Sequence, residues 1–166
     1  MKGRALMTLS EQCHRTWLSN VFNIHREPRL GGIDLADREL GIELKCRYDR
    51  WSPHFTIHAY QRRQFREQNV GARLFWAFLL YGLNKPAEKI RGSDIAPYVS
   101  QRDCWILPWQ WVGQFPVWYP KTGPYIYVSK KDFPTNGYFK EMDVEGGRLY
   151  VPRNESVLEE RLSVPF

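Results

Sequence analysis

Three ionisable residues, Asp34, Glu43 and Lys45, interrupt a stretch of alternating apolar residues. The stretch covers residues 31–47 and reads GGIDLADRELGIELKCR. If its two halves form a hairpin that turns at residues 38–39, residues whose numbers sum to 77 lie opposite each other, so Asp34 faces Glu43. We therefore expect two carboxylates on one face of the hairpin, with β-carbons about 5 Å apart.

Carboxylates opposed at this distance repel each other, and a divalent cation would relieve the repulsion. Oxygen ligands from one or two carboxylates suit Mg²⁺ or Mn²⁺, with water and substrate phosphate oxygens completing the coordination. Lys45 follows on the same, polar face and is placed to orient a water or to stabilise transition-state charge. The alternative is a surface pair of Glu43 and Lys45 on a wet sheet face, with Asp34 at a strand edge.

The chain has 166 residues, a formal net charge of +6 and a pI near 9.3. This length suits one hydrophobic core, so we expect a single domain over residues 1–166. Its apolar and aromatic content excludes a disordered chain. The excess of basic residues favours a polyanionic partner such as nucleic acid, because clustered cations neutralise phosphates.

Neither a membrane protein nor a metal-thiolate protein is indicated. The N-terminal residues contain no apolar segment of signal-peptide length, and the most apolar run, LFWAFLLYGL, has only ten residues. Cys13, Cys46 and Cys104 lack the spacing of zinc ligands. We expect these three to be small buried residues in a cytoplasmic protein that does not associate with a membrane.

The hydrophobic pattern predicts an α/β fold with a mixed sheet. The expected elements are an amphipathic helix over 8–23, a hairpin within 32–47, a short strand near 55–58, a polar helix ending near Gly71, a buried strand reading RLFWAFLLYGL, further short strands, and a last helix reading SVLEERL. For RLFWAFLLYGL a buried helix is the alternative, because periodicity does not distinguish the two. The second helix would cross over to place the buried strand beside the hairpin.

The hairpin resembles the PD-(D/E)XK nuclease superfamily, which includes Holliday junction resolvases and restriction endonucleases. GID supplies Asp34 and IELK supplies Glu43 and Lys45, while Ile33 stands where the motif has its proline. The resemblance implies a restriction endonuclease-like α-β-β-β-α-β core over about 8–118. Residues 119–166 would form a β-rich C-terminal extension.

The same resemblance implies a Mg²⁺-dependent endonuclease that hydrolyses DNA phosphodiester bonds. Asp34 and Glu43 would bind the metal, Lys45 would serve the attacking water, and Gln61 would face the site. Glu11 would be the first-helix acid that sometimes joins the metal ligands. Gln61 as an exposed helix residue, and Glu11 as a capping or surface carboxylate, are the alternatives.

Two other functions stay open at this point. One is a non-catalytic module that binds nucleic acid, or a protein partner, on a nuclease-like scaffold. The other is an RNA-directed stacking platform built from the tryptophans of WILPWQWVGQFPVW, for which core packing is the alternative reading. The DNA substrate type is open, and symmetric cutting of both strands would call for a homodimer.

Overall fold

The computed structural model describes residues 3–24, 33–51, 54–62 and 72–162. Within these residues the helices are α1 (Gly3–Phe22) and α2 (Ser156–Leu162). The strands are β1 (Leu35–Ala36), β2 (Leu40–Tyr48), β3 (His54–His58), β4 (Arg73–Leu83), β5 (Val99–Pro108), β6 (Tyr125–Ser129), β7 (Phe139–Val144) and β8 (Gly147–Pro152). Short 3₁₀ helices cover Ala87–Lys89, Ala96–Tyr98, Trp109–Gln114 and Lys130–Asp132.

Six of the strands form one mixed sheet in the order β1-β2-β4-β5-β8-β7. The β2–β4 and β5–β8 pairs are parallel, and the other neighbours are antiparallel. The remaining two strands, β3 and β6, form a separate antiparallel sheet. The fold is therefore mixed α/β with a mixed six-stranded sheet and few helices.

The register of the hairpin is the predicted one. Leu35 lies opposite Ile42, and Ala36 lies opposite Gly41. Strand β1 is shorter than the pattern predicts, so Asp34 immediately precedes the strand. A hairpin register follows from the turn and from the alternation of buried side chains, both of which are local in sequence.

The apolar run of β4 is a central strand buried on both faces, as predicted. Phe75, Ala77 and Leu79 pack into the core on the α1 side of the sheet, whereas Trp76 and Phe78 pack into a second core on the opposite side. β4 lies parallel to β2, which places it beside the hairpin. Covering both faces explains the continuous apolar sequence.

Strand β3 differs from the expected topology, because it pairs with β6 instead of joining the main sheet. Its buried residues Phe55 and Ile57 pack against the Trp76 and Phe78 side of the main sheet, while His54 and Thr56 are exposed. This alternation is typical of a strand that covers one face of a neighbouring sheet.

Both described helices match predicted segments, although α1 begins five residues earlier than expected, at Gly3. Thr8 lies inside the helix, where its hydroxyl donates to the Arg4 carbonyl one turn earlier. α2 coincides with SVLEERL. Gln61 and Arg62 are helical, and the rest of the expected helix ending near Gly71 lies outside the described residues.

The thiols and tryptophans are mostly packing residues. Cys104 is buried, and Cys13 and Cys46 are partly exposed, with all three free. Trp105 and Trp109 are buried in the second core, as the packing interpretation expects, whereas Trp118 is exposed. None of the helices in the described ranges combines the length and apolar character that crossing a membrane requires.

Candidate functional site

Asp34 and Glu43 meet at the end of the hairpin that lies away from its turn. The Asp34 backbone N–H donates to Glu43 Oε2 over 3.1 Å. The Leu44 backbone N–H donates to Asp34 Oδ2 over 2.8 Å. These two bonds continue the pairing of the hairpin through side chains and hold both carboxyl groups at one position.

The face that carries Glu43 and Lys45 is not polar, and that expectation was wrong. Glu43 is only 4% exposed and pairs with Trp76 of β4, while Lys45 pairs with Phe78. Both aromatic residues belong to the core between the main sheet and the β3–β6 sheet. The second sheet covers this face, so the surface-pair interpretation is wrong as well.

Gln61 joins the two charged residues. Its Oε1 accepts from Lys45 Nζ over 2.9 Å and from the His58 backbone N–H over 3.2 Å. Its Nε2 donates to Glu43 Oε1 over 3.3 Å. Lys45 Nζ itself lies 3.7 Å from Glu43 Oε1. The structure therefore places Gln61 in contact with Glu43 and Lys45 and not on an open helix face.

Arg15 also contacts this group of side chains, although the sequence pattern did not single it out. Its Nη2 donates to Asp34 Oδ1 over 2.9 Å, with both side chains mostly buried. A basic residue on the polar side of the amphipathic first helix is the one available signal in the sequence. Which helical residue reaches Asp34 depends on how α1 lies across the sheet, which periodicity does not specify.

Glu11 is not brought to this group. It is exposed on α1 and lines a pocket with Ser10, Cys46 and Tyr81 on the helix side of the sheet. Among the residues that the structure describes, no three His, Cys, Asp or Glu side chains are grouped as a metal could require. The expected third acidic ligand is therefore not supplied by the observed packing of α1.

The electrostatics of Glu43 reflect its burial. Burial and the negative charge of Asp34 together raise the pKa of Glu43 to about 8, against the opposing effect of the positive charge of Lys45. A carboxyl in this position favours a neutralising partner, which is either a proton or a cation.

No family model, no curated protein and no solved structure matches this chain. The resemblance to PD-(D/E)XK nucleases thus rests on the residues of the hairpin and on their placement. The group that the structure assembles around that hairpin consists of Asp34, Glu43, Lys45, Gln61 and Arg15, which we call the hairpin cluster.

Proposed function

We propose that this protein is a Mg²⁺-dependent endonuclease that hydrolyses DNA phosphodiester bonds. The observation that carries the proposal is the hairpin cluster, in which two carboxyl groups lie next to each other and one of them contacts a glutamine that is bonded to a lysine. Placing two acidic side chains together, one of them buried, costs stability, and their presence is therefore better explained by a function. Phosphodiester hydrolysis is such a function, since it needs hard oxygen ligands next to a cationic donor.

The donor set fits Mg²⁺ or Mn²⁺. Asp34 and Glu43 offer hard oxygen ligands, and the raised pKa of Glu43 shows that this carboxyl favours neutralisation. Two carboxylates suffice when water and phosphate oxygens fill the other positions. The bound ion would lower the pKa of a water and neutralise charge on the phosphate.

The protein side chains then have distinct tasks. Asp34 and Glu43 hold the ion, and Lys45 orients the attacking water or stabilises negative charge that develops on the phosphate. Gln61 holds the side chains of Lys45 and Glu43 in position, because its amide is hydrogen-bonded to both. Arg15 is a positioning residue that holds the Asp34 carboxylate.

The restriction endonuclease-like core belongs to the same proposal. In its support, α1 precedes the hairpin, and β4 lies parallel to β2 after an intervening strand. The departure is β3, which covers the sheet instead of extending it. We propose that the chain is a divergent member of the PD-(D/E)XK superfamily with a displaced third strand.

The DNA partner is supported by the net charge of +6, which suits backbone contacts. We propose that the protein acts in the cytoplasm. Symmetric cutting of a duplex would bring two copies together, each contributing one hairpin cluster.

The test is incubation of the purified protein with plasmid, linear and four-way-junction DNA, with Mg²⁺ or with EDTA. We expect cleavage of at least one substrate with Mg²⁺ and none with EDTA. Glu43→Gln, purified identically, is the control for contaminating nucleases and should be inactive. Cleavage by Glu43→Gln at the parental rate, or no cleavage of any substrate, would reject the enzyme.

One observation favours the second candidate, a non-catalytic nucleic-acid-binding module. Arg15 pairs with Asp34, and Lys45 lies near Glu43, so each carboxylate has a cation of its own within the protein. A module of this kind would bind DNA with an affinity that falls steeply as salt rises, yet leave every substrate intact. Binding without cleavage in the same reactions would select it.

A further inference from the structure

A row of aromatic rings lies on the outer face of the β3–β6 sheet. The rings of Tyr127 and Tyr125 have centroids 6.3 Å apart, and those of Tyr125 and His58 are 4.5 Å apart. The His58 ring is in turn 5.1 Å from that of Tyr60. We call these four side chains the aromatic row.

The register explains why the row faces outward. His58 lies opposite Tyr125 in the antiparallel pair, and Ile57 and Ile126, one position along, face the core. Tyr60 is 55% exposed and Tyr127 is 39% exposed. Neighbouring aromatic rings that are exposed on one sheet face form a candidate binding surface.

Trp118 widens this surface. It forms an isolated antiparallel bridge with Tyr125 on the other edge of β6, with both backbone hydrogen bonds at 2.8 Å. Residues paired in this way project to the same face. Trp118 is 58% exposed, so it continues the aromatic surface beyond the row.

The segments that build this surface contain no acidic residue. Residues 50–62 and 105–131 include β3, β6 and the Trp118 turn, and neither has an Asp or a Glu. The same segments carry the basic residues Arg50, Arg62, Lys121, Lys130 and Lys131. The next residue, Asp132, accepts the Ser129 backbone N–H at the end of β6, so these segments still carry an excess of positive charge, which is complementary to a polyanion.

The aromatic row is continuous with the hairpin cluster. The His58 backbone N–H donates to Gln61 Oε1 over 3.2 Å, and the same oxygen accepts from Lys45 Nζ. One residue of the row is thus hydrogen-bonded to the side chain that orders Lys45. This contact lies at the end of β3, since the β3–β6 sheet itself separates its outer face from the core beside Glu43.

We propose that the aromatic row binds the unpaired bases of single-stranded DNA by stacking. Exposed rings that follow one another along segments with an excess of positive charge match the way in which sequence-tolerant proteins hold successive bases. Where it concerns the substrate of cleavage, the inference rests on the proposed function. The substrate would be DNA with a single-stranded segment next to the cleaved bond. As a statement about binding, the inference stands independently of cleavage.

A suitable choice of residue distinguishes a binding role of the rings from a purely structural one. His58 and Tyr125 are direct cross-strand partners, and their contact stabilises a two-stranded sheet that would be marginal alone. Tyr127 lies opposite Thr56 and is more exposed, so replacing it disturbs the sheet less. Tyr127 is therefore the position to test.

The experiment measures binding of a fluorescent oligothymidylate of about 15 nucleotides by anisotropy, in EDTA. Two further probes share its phosphodiester backbone. An abasic strand of equal length has no bases, and a duplex has bases that are paired. Parental protein should bind oligothymidylate at least about fivefold more tightly than the abasic strand, since stacking requires bases. Tyr127→Leu should lose about fivefold or more for oligothymidylate only, and Tyr127→Phe, which keeps the ring, should retain the affinity.

Trp51→Ala is the matched control, because Trp51 is 47% exposed but lies in the Glu11 pocket on the α1 side of the sheet. It should bind as the parent does. Equal affinity for oligothymidylate and abasic strand, or unchanged binding by Tyr127→Leu, would overturn the inference. Ring-dependent binding without cleavage in Mg²⁺ would uphold it while rejecting the nuclease, so the two failures are distinguishable.

Discussion

The two ends of the β1–β2 hairpin each carry a pair of acidic residues, and the pairs differ in burial and in the direction of their pKa shifts. At the turn, Asp37 and Glu39 point toward Arg161 of α2, with contacts of 2.6 and 3.5 Å. Asp37 Oδ1 also accepts the backbone N–H groups of Glu39 and Leu40. At the other end, Asp34 and Glu43 lie against each other.

The pKa values move in opposite directions. Burial alone would raise the pKa of Asp37, but the hydrogen bonds from Arg161 and from the turn backbone outweigh it and lower the pKa below its usual value. Burial and the charge of Asp34 raise the pKa of Glu43 to about 8. The turn carboxylate is thus stabilised as an anion, and the buried one is not.

This contrast separates a structural acidic pair from one that stability does not explain. The turn pair satisfies backbone donors and links the hairpin to α2, which is sufficient reason for its presence. The Asp34–Glu43 pair also accepts backbone N–H groups and contacts Arg15, but Glu43 lies where burial disfavours its charge, and a functional role would account for that.

The largest expected effect is on cleavage by Lys45→Ala. Its rate should fall about a hundredfold or more, the scale observed when one group that stabilises a transition state is removed. DNA affinity should change little, because one cation among many is lost. The measurement is single-turnover cleavage together with DNA binding.

Three variants sharpen that result. Lys45→Met keeps the length of the partly buried side chain without its charge, so it should be equally inactive and folded by circular dichroism. Lys140→Ala removes an exposed lysine of β7, and Asp37→Asn changes the turn pair. Both should cut at the parental rate, and a Lys45→Ala enzyme as active as they are would refute the role of Lys45.

The next effect concerns metal dependence. Glu43→Ala should also be inactive, but through weaker metal binding, so raising Mg²⁺ should restore part of its activity. The same titration should not restore Lys45→Ala, whose lysine acts on the water or phosphate. Equal rescue of both variants would contradict the separate roles.

A smaller effect concerns the change of the free energy of unfolding with pH, measured in EDTA. The pKa of Glu43 is higher in the folded than in the unfolded state, so its contribution is present below about pH 4.5 and is lost as pH rises through about 8. Glu43→Gln should remove this loss and be more stable than the parent by about 1 kcal/mol or more at pH 8. Urea unfolding at several pH values measures it.

Asp37→Asn should behave in the opposite way. The lowered pKa of Asp37 means that its contribution is present above the unfolded pKa and is lost as pH falls. The variant should therefore be less stable than the parent at neutral pH and equal to it in acid. A parallel pH dependence for Glu43→Gln and Asp37→Asn would remove the contrast between the two ends.

The smallest effect is the size of that Asp37→Asn loss at neutral pH. We expect about 1 kcal/mol or less, because a partly exposed ion pair contributes little and the amide oxygen still accepts the turn N–H groups. The same urea titrations give this value. A loss of several kcal/mol would mean that the turn pair supports much more of the fold than its contacts indicate.

Local pattern was enough to predict several elements of the fold. The hairpin register, the doubly buried β4 and the helix at SVLEERL follow from alternation, turn position and apolar run length, which neighbouring residues determine. The same reasoning placed Asp34 opposite Glu43 and Lys45 on the face of Glu43. Their chemical roles stay predictions.

Tertiary structure decided what surrounds those residues. β3 pairs with β6, which lies far along the chain, and this pairing buries Glu43 and turns the aromatic row outward. The packing of α1 brings Arg15 to Asp34 and leaves Glu11 in another pocket. Periodicity states which side of an element is apolar, but only long-range packing selects the neighbour that covers it, and burial by that neighbour sets the pKa of Glu43.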